Sequence, residues 1–191
     1  MRVIAGTLRR RVLEAPAGLG TRPTSDRLRE TLFNVLAPRM EGARFLDLYA
    51  GSGAVGIEAA SRAAASVVLV ERAEPALKVL RANLEKLKLR SSVRVEAVNV
   101  GAFLRRVRPV NSPMRFDVVF LDPPYEAAEE YALAMGLLGG AASGLLAEAA
   151  VVIAEHRRKE KLDDAYGSVR RVRVLQQGDA ALSFYEAASS P

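Results

Sequence analysis

Four consecutive residues, Asp122-Pro123-Pro124-Tyr125, give the most specific chemical signal in the chain. They follow an apolar run with strand character, residues 116–121. The two prolines fix the backbone and remove two N–H donors, so the segment presents carbonyl oxygens beside the Asp122 carboxylate. Tyr125 adds a flat ring on which a nucleobase can stack. Such an array of acceptors suits the binding of an amino group on a base.

An exocyclic amine is a poor nucleophile because its lone pair is delocalised into the ring. If the Asp122 carboxylate and the Pro123 carbonyl accept its two N–H bonds, the nitrogen can turn its lone pair towards an electrophilic methyl group. Catalysis is then mostly positioning of the reacting atoms at ~3–3.5 Å, and no metal is required. The four residues are therefore the candidate catalytic residues. The alternative interpretation of the motif is a purely structural turn.

A glycine-rich segment, residues 51–56 (GSGAVG), lies between an apolar strand-like run and the first turns of a predicted helix. Such a joint lets the backbone approach a ligand closely and aims free helix N–H groups at an anionic group. We therefore expect Gly51, Ser52 and Gly53 to hold a nucleotide-like cofactor.

Two cofactor classes fit this segment. Its spacing matches the G-x-G-x-x-G pattern of dinucleotide sites, and Glu71 follows the next apolar run, where a ribose-binding carboxylate belongs. Asp47 lies inside the first strand, where a carboxylate costs burial energy unless it fixes the loop or binds the ammonium of an amino acid. Residues 122–125 have no role in hydride transfer. The sequence favours S-adenosylmethionine, with an NAD-binding oxidoreductase as the alternative.

The elements that position these residues alternate between strand and helix from Arg44 onwards, which is typical of a parallel sheet with crossover helices. An earlier helix begins near Thr24 or Ser25 and ends at Pro38. Strands are predicted near 44–49, 66–71, 93–97, 116–121 and 148–155, helices near 54–63, 74–89, 100–107 and 127–138, and a final antiparallel hairpin at 168–176 and 180–186. This is the α/β architecture of a Rossmann-like class I methyltransferase, with a mostly parallel seven-stranded sheet ending in an antiparallel hairpin.

Loops at the carboxyl ends of parallel strands line the ligand crevice of such folds. Asn99 follows the third strand, and we expect it to bind the adenine edge, with Phe103 or Ala102 against the ring face. Asp122 closes the fourth strand and belongs to the same cofactor set. Two alternatives stay open: Glu71 pairs only with a neighbouring arginine, Arg72 or Arg94, and Phe103 is helix core.

The N-terminal segment, residues 1–20, is a small basic arm, predicted as two short strands around a Gly-Thr turn, followed by the catalytic domain at 21–191. The chain has a net charge of +6 and a pI near 10.0, and most of its basic residues are arginine, which pairs with phosphate. We expect Arg9, Arg10, Arg11 and Arg22 to contact RNA, with a solvated edge hairpin as the alternative for the arm.

Composition excludes several classes of site. The chain has no cysteine, which rules out disulfides, thiolate nucleophiles and Cys-ligated metals. A single histidine, His156, cannot build a histidine-rich metal site, and its charged neighbours predict exposure. No apolar run approaches the ~20 residues of a membrane span, and the first residues lack a signal peptide's apolar core. We expect a soluble cytoplasmic protein without a metal.

Three motifs give the chain a resemblance to the RsmD-type methyltransferases: residues 22–34 (RPTSDRLRETLFN), residues 46–59 (LDLYAGSGAVGIEA) and residues 122–125 (DPPY). That family modifies the 2-amino group of a guanine in small-subunit (16S) ribosomal RNA. The resemblance implies S-adenosylmethionine as cofactor and a partly assembled small subunit as substrate. Because so large and flat a substrate needs the crevice face free, we expect a monomer.

The sequence departs from the family at two places. Residues 9–13 read RRRVL where the family usually has Arg-Gly-Arg-Lys-Leu, and Asn99 stands where many methyltransferases have Asp. Two further alternatives stay open: a DNA adenine or cytosine amino-methyltransferase, and a basic RNA-binding module without catalysis. The intact 122–125 motif argues against the latter.

Overall fold

The computed structural model describes residues 1–15, 26–106, 114–124 and 127–187. The chain divides into two compact units, Met1–Val98 and Asn99–Pro191. The described strands number eight, three in the first unit and five in the second. This confirms the expected α/β class, with a mostly parallel sheet and a terminal antiparallel hairpin, but with eight strands instead of seven. The predicted boundary between arm and domain, at residues 20 and 21, lies outside the described residues.

The first unit contains three parallel strands and three helices. In chain order they are α1 (Asp26–Met40), β1 (Arg44–Asp47), α2 (Ala54–Ser61), β2 (Ser66–Val70), α3 (Glu74–Lys86) and β3 (Val93–Glu96). Strand β2 pairs with both others, Val67 lying opposite Phe45 on β1 and opposite Val93 on β3. Leu77, Leu80 and Leu84 recur at helical spacing along α3 and are buried on its apolar face.

Helix α1 includes Pro38 and continues to Met40, so the prediction that Pro38 ends the helix is wrong. Proline's fixed φ is compatible with helical backbone, and so late in the helix the missing N–H removes a single bond. Met40 is buried against the core, which favours the additional residues.

The N-terminal arm is less regular than the two strands predicted for it. Its only described ladder pair is a single antiparallel bridge between Arg2 and Val12. Backbone bonds extend this pairing, since the N–H of Val3 donates to the Arg11 carbonyl at 2.9 Å and that of Leu13 to the Met1 carbonyl at 3.0 Å. Val3 and Leu13 are buried, so the arm rests on the unit's core.

The second unit contains two helices, a short 3₁₀ turn and five strands. They are α4 (Val100–Arg106), β4 (Phe116–Leu121), α5 (Glu129–Leu138), the turn Ser143–Leu145, β5 (Leu146–Arg157), β6 (Ala165–Tyr166), β7 (Val169–Gln177) and β8 (Ala180–Ala187). Strand β5 runs parallel to β4 and antiparallel to β8, which forms the predicted hairpin with β7. The eighth strand is β6, which pairs with the start of β7.

His156 is buried at 4% exposure, so the prediction of an exposed side chain is wrong. Strand β5 continues through His156 to Arg157 and pairs there with β8. Both ring nitrogens have partners: Nδ1 donates to the Arg157 carbonyl at 2.8 Å, and Nε2 lies 2.8 Å from the Ser183 hydroxyl. Burial lowers the pKa of His156, with the positive charge of Arg171 acting in the same direction.

Candidate functional site

The glycine segment forms a tight turn between β1 and α2. Gly51 and Gly53 both adopt left-handed backbone, with φ of 54° and 82°, a conformation that favours glycine. The N–H of Gly53 donates to the Ala50 carbonyl at 2.7 Å and closes the turn. A Cβ atom on Gly51 would meet no atom within 4 Å, so the loop leaves open space at this point.

Gly53 is also the N-cap of α2, and no side chain caps this helix. The N–H groups of the first turn of α2 therefore have no side-chain acceptor at the cap. Gly56, the third glycine of the pattern, has a different function. A Cβ atom there would overlap the Leu69 side chain on β2, so glycine allows α2 and β2 to pack closely.

Glu71 follows β2 and braces the glycine loop. Its Oε2 accepts the N–H of Gly51 at 2.8 Å, and its Oε1 accepts the N–H groups of Arg72 and Ala73, each at 2.7 Å. A carboxylate has about four acceptor positions, so about one is left for a ligand. The structure therefore brings two predicted site residues, Glu71 and Gly51, into direct contact. Of the arginines named as alternative partners, Arg72 bonds through its backbone and Arg94 forms an ion pair with Glu96.

Two predicted cofactor residues, Asp47 and Ser52, are buried at the start of this loop. Asp47 is the last residue of β1 and is 1% exposed. Ser52 lies in the turn, and its carbonyl accepts a hydrogen bond from the Asn83 side chain at 3.0 Å. Two predicted polar residues thus lie where β1 passes into the loop.

In the second unit, Asn99 precedes α4 and its Oδ1 accepts the N–H of Ala102 at 2.7 Å. This is an N-cap, which satisfies one of the N–H groups left open at the start of the helix. Asn99 and Ala102 are exposed, whereas Phe103 is 1% exposed and belongs to the core. The burial of Phe103 favours helix core over the alternative of an adenine contact, and Ala102 is the residue of this pair that presents a surface.

The Asp-Pro-Pro motif follows β4 as predicted. Asp122 is half-buried, Pro123 is buried and Pro124 is exposed. The N–H of Ala127 donates to the Pro124 carbonyl at 2.9 Å, so that carbonyl is already used within the turn. Tyr125 lies outside the described residues.

Three of the basic residues predicted to contact RNA lie at the turn of the arm. Arg9, Arg10 and Arg11 are all exposed at its turn, and Arg10 has left-handed backbone with φ of 70°. Arg22 lies outside the described residues. Three successive arginines are compatible with a docked arm because they lie at its turn, while Val3 and Leu13 provide the buried apolar contacts.

The sequence analysis did not identify the buried polar residues that hold the arm. Glu58 on α2 accepts the N–H groups of Ile4 and Ala5 at 2.7 and 3.0 Å, and Ser61 accepts that of Leu8 at 2.9 Å. The sequence feature that could have identified them is a polar residue within an apolar helix, since α2 otherwise consists of small and aliphatic residues.

Arg29 on α1 is fully buried and joins the same cluster. It donates to the Arg2 carbonyl and to Asp26, and its Nε lies 3.9 Å from Oε2 of Glu58. Burial lowers the pKa of Arg29, while the charges of Asp26 and Glu58 act in the opposite direction. The guanidinium stays charged because its ordinary pKa is far above neutral.

In the described ranges, no helix combines the length and the apolar character that crossing a membrane requires. In the same part of the chain, no three or more His, Cys, Asp or Glu side chains are grouped to hold a metal ion.

Comparison with known proteins gives consistent matches. A family model described as conserved hypothetical protein 95 matches residues 1–186. YlbH of Bacillus subtilis (strain 168), an rRNA methyltransferase candidate, is 34% identical over 186 residues, which are 97% of this chain and 98% of YlbH. Ribosomal RNA small subunit methyltransferase D of Haemophilus influenzae is 44% identical over 125 residues, 65% of this chain and 64% of that protein. The solved structure of the methyltransferase candidate yhhF from Escherichia coli has a TM-score of 0.85 at 33% identity, covering 100% of this chain and 99% of that one.

Proposed function

The chain belongs to the RsmD-type methyltransferase family, and we propose that it methylates the 2-amino group of a guanine in 16S ribosomal RNA, with S-adenosylmethionine as the methyl donor. The observation that supports this most directly is the bond between the Glu71 carboxylate and the Gly51 N–H, because it joins a ribose-type acceptor to an open glycine turn. The substrate we infer is an assembling small subunit.

The residues of the first unit fit this cofactor. The open space at Gly51 admits a ligand close to the backbone, and the remaining acceptor position of Glu71 suits a ribose hydroxyl. The buried Asp47 carboxylate suits the ammonium of an amino acid. Bound there, S-adenosylmethionine supplies a methyl group on a positively charged sulfur. In the second unit, the amide group of Asn99 would meet the adenine edge.

The chemistry falls to the residues after β4. In this proposal the Asp122 carboxylate and the Pro123 carbonyl accept the two N–H bonds of the guanine amine and turn its lone pair towards the methyl group. Pro124 fixes the backbone, and Tyr125 stacks on the extruded base, worth ~1–3 kcal/mol. In the same scheme Asp122 accepts the proton that the amine loses after transfer. No step requires a metal.

The arm is assigned to the RNA. The three exposed arginines at its turn suit phosphate, and Arg22 is proposed to extend the same contact. We assign residues 1–20 to this arm and 21–191 to the catalytic domain. The protein would act as a monomer in the cytoplasm.

The decisive experiment is mass mapping of 16S ribosomal RNA from cells with and without the protein. We expect one guanine to carry an N2-methyl group only when the protein is present. Purified protein with labelled S-adenosylmethionine should restore that mark on small subunits from the deletion strain. Labelling of DNA instead of RNA, or binding of NADH in place of S-adenosylmethionine, would contradict the proposal.

A further inference from the structure

Asn83 on α3 is fully buried, and its carboxamide joins two segments of the first unit that are distant in sequence. Its Oδ1 accepts the N–H of Glu14 at 2.9 Å, and its Nδ2 donates to the Glu14 carbonyl at 3.1 Å. The same Nδ2 donates to the carbonyl of Ser52 at 3.0 Å. One side chain therefore binds both the end of the arm and the middle of the glycine loop.

All three contacts are to backbone groups, so they fix the path of the chain and do not depend on the side chains of Glu14 or Ser52. A buried carboxamide is costly unless its donors and acceptors are satisfied, and here both donor hydrogens have acceptors. Asn83 lies between Leu80 and Leu84 on the apolar face of α3, where a leucine would pack without this cost. The polar residue at that position is therefore explained by its bonds to the backbone of Glu14 and Ser52.

Other bonds hold the residues on either side of Ser52. Gly51 is held by Glu71, and Gly53 is held by its turn bond to Ala50 and by the start of α2. The peptide between Ser52 and Gly53 is held at both ends: its N–H donates to the Ala50 carbonyl within the turn, and its carbonyl accepts the bond from Asn83, which ties the loop to α3. Rotation of that peptide would move the N–H of Gly53 and the open face at Gly51.

The arm is anchored separately at its beginning. Glu58 and Ser61 on α2 bind the backbone of residues 4–8, and a Cβ atom on Gly6 would overlap the backbone of Ser61. None of these contacts involves residues 51–53. Among the described contacts of the arm, the one through Asn83 thus reaches the cofactor loop, whereas those to Glu58 and Ser61 do not.

We propose that Asn83 is a positioning residue for the cofactor loop, which fixes the Ser52 peptide and ties it to the end of the RNA-binding arm at Glu14. This inference rests on the proposed function and adds a residue to it. Asn83 does not touch the reacting atoms in this scheme. Its contribution is the orientation of the loop that binds S-adenosylmethionine.

The test compares Asn83→Ala with Ser61→Ala, which also removes a buried polar group that holds the arm. We expect Asn83→Ala to raise the KM for S-adenosylmethionine and the Kd of S-adenosylhomocysteine by about tenfold, the effect of losing a buried hydrogen bond, with kcat within about threefold of wild type. Ser61→Ala should leave both cofactor constants within about twofold. A merely structural role would instead lower the active fraction and the apparent kcat without changing KM.

A second variant, Asn83→Asp, tests the same contacts with the side-chain volume conserved, in case Asn83→Ala does not fold. It conserves volume and the acceptor for the Glu14 N–H but turns an oxygen towards the carbonyls of Glu14 and Ser52, so the same rise in cofactor KM is expected. Cofactor constants within twofold of wild type in a folded Asn83 variant would overturn the inference, as would an equal rise in Ser61→Ala. Wild-type protein that binds no S-adenosylhomocysteine would instead overturn the proposed function.

Discussion

At the scale of single residues, Glu71 has two functions that one substitution removes together. It braces Gly51, and in the proposed function it also offers an acceptor to the ribose of the cofactor. We expect Glu71→Ala to weaken S-adenosylhomocysteine binding by about tenfold or more in calorimetry, because a charged acceptor is lost from both the loop and the ligand.

Glu74→Ala is the matched control for this change. Glu74 lies three residues further on, is exposed, and forms only a long surface ion pair with Arg81 at 3.9 Å. Its removal should leave cofactor affinity unchanged. Equal affinity of the Glu71 variant and wild type would contradict the ribose assignment.

Asp122 should separate catalysis from cofactor binding. We expect Asp122→Ala to reduce methyl transfer to small subunits by at least about a hundredfold. The variant lacks the carboxylate that, in the proposed function, positions the amine and accepts its proton. The Kd of S-adenosylhomocysteine should stay close to that of wild type. A large loss of cofactor affinity would contradict the catalytic role and show that Asp122 acts mainly in binding the cofactor.

His156 gives the second unit a pH-dependent stability. Burial lowers its pKa in the folded protein, whereas the unfolded chain has the ordinary value near 6.5. Below that value the unfolded state binds a proton that the folded state does not, so the free energy of unfolding falls as pH decreases, by up to about 1.4 kcal/mol per pH unit. Urea unfolding between pH 8 and pH 5 should show this loss, and His156→Gln should flatten it. A wild-type profile that is flat from pH 7 to pH 5 would contradict the assignment.

At the scale of elements, the end of α5 and strand β6 pack backbone to backbone through Gly139. A Cβ atom on Gly139 would overlap the carbonyl of Tyr166, and the Gly139 carbonyl accepts the N–H of Ser168 at 2.7 Å. We expect Gly139→Ala to destabilise the protein by at least about 3 kcal/mol, because a backbone carbonyl cannot move aside as a flexible side chain can.

The control lies three residues earlier on the same helix. Gly136 is exposed within α5, and a Cβ atom there would meet nothing within 4 Å. Gly136→Ala should stabilise the protein by about 0.5–1 kcal/mol, since alanine loses less backbone entropy in a helix. Thermal unfolding of both variants measures the difference, and two shifts of the same sign would refute the packing argument.

The elements that sequence predicts well are those whose pattern is local. The leucine period of α3 and the apolar runs of the parallel strands correspond to elements of the structure. Strand β6 was missed because its two residues are defined by pairing with β7 and by contact with Gly139, and neither leaves a periodic signal. His156 was misplaced because burial at a strand end depends on the partner strand.

In the candidate site, too, features with a local sequence pattern could be predicted and contacts between distant segments could not. The glycine turn and the Glu71 position follow from spacing alone, since strand ends and turns dictate them. The role of Asn83, Glu58 and Arg29 could not be predicted, because each of them binds a backbone group that is far away in the sequence. The sequence shows only a polar residue on an apolar helix face, and this pattern does not indicate which group the residue binds.

At the scale of the whole molecule, the net charge of +6 provides a general attraction to RNA, and the question is whether the arm contributes more than its charge. The backbone bonds to Glu58 and Ser61 hold the arm in place, so its three arginines are presented at a fixed turn. A fixed cluster can contact several phosphates at once, whereas scattered charges act mainly through the long-range field.

Replacing Arg9, Arg10 and Arg11 by Ala tests this, with Arg158, Lys159 and Lys161 to Ala as the control. All six side chains are exposed, and each triple change lowers the net charge by three, from +6 to +3. Losing three phosphate contacts should make the slope of log K against log salt shallower by about 2 for single-stranded RNA. The control should lower affinity slightly and keep the slope. Equal slopes for the two variants would mean that the arm acts only through net charge, and its turn would then be a solvated hairpin whose arginines protect an edge.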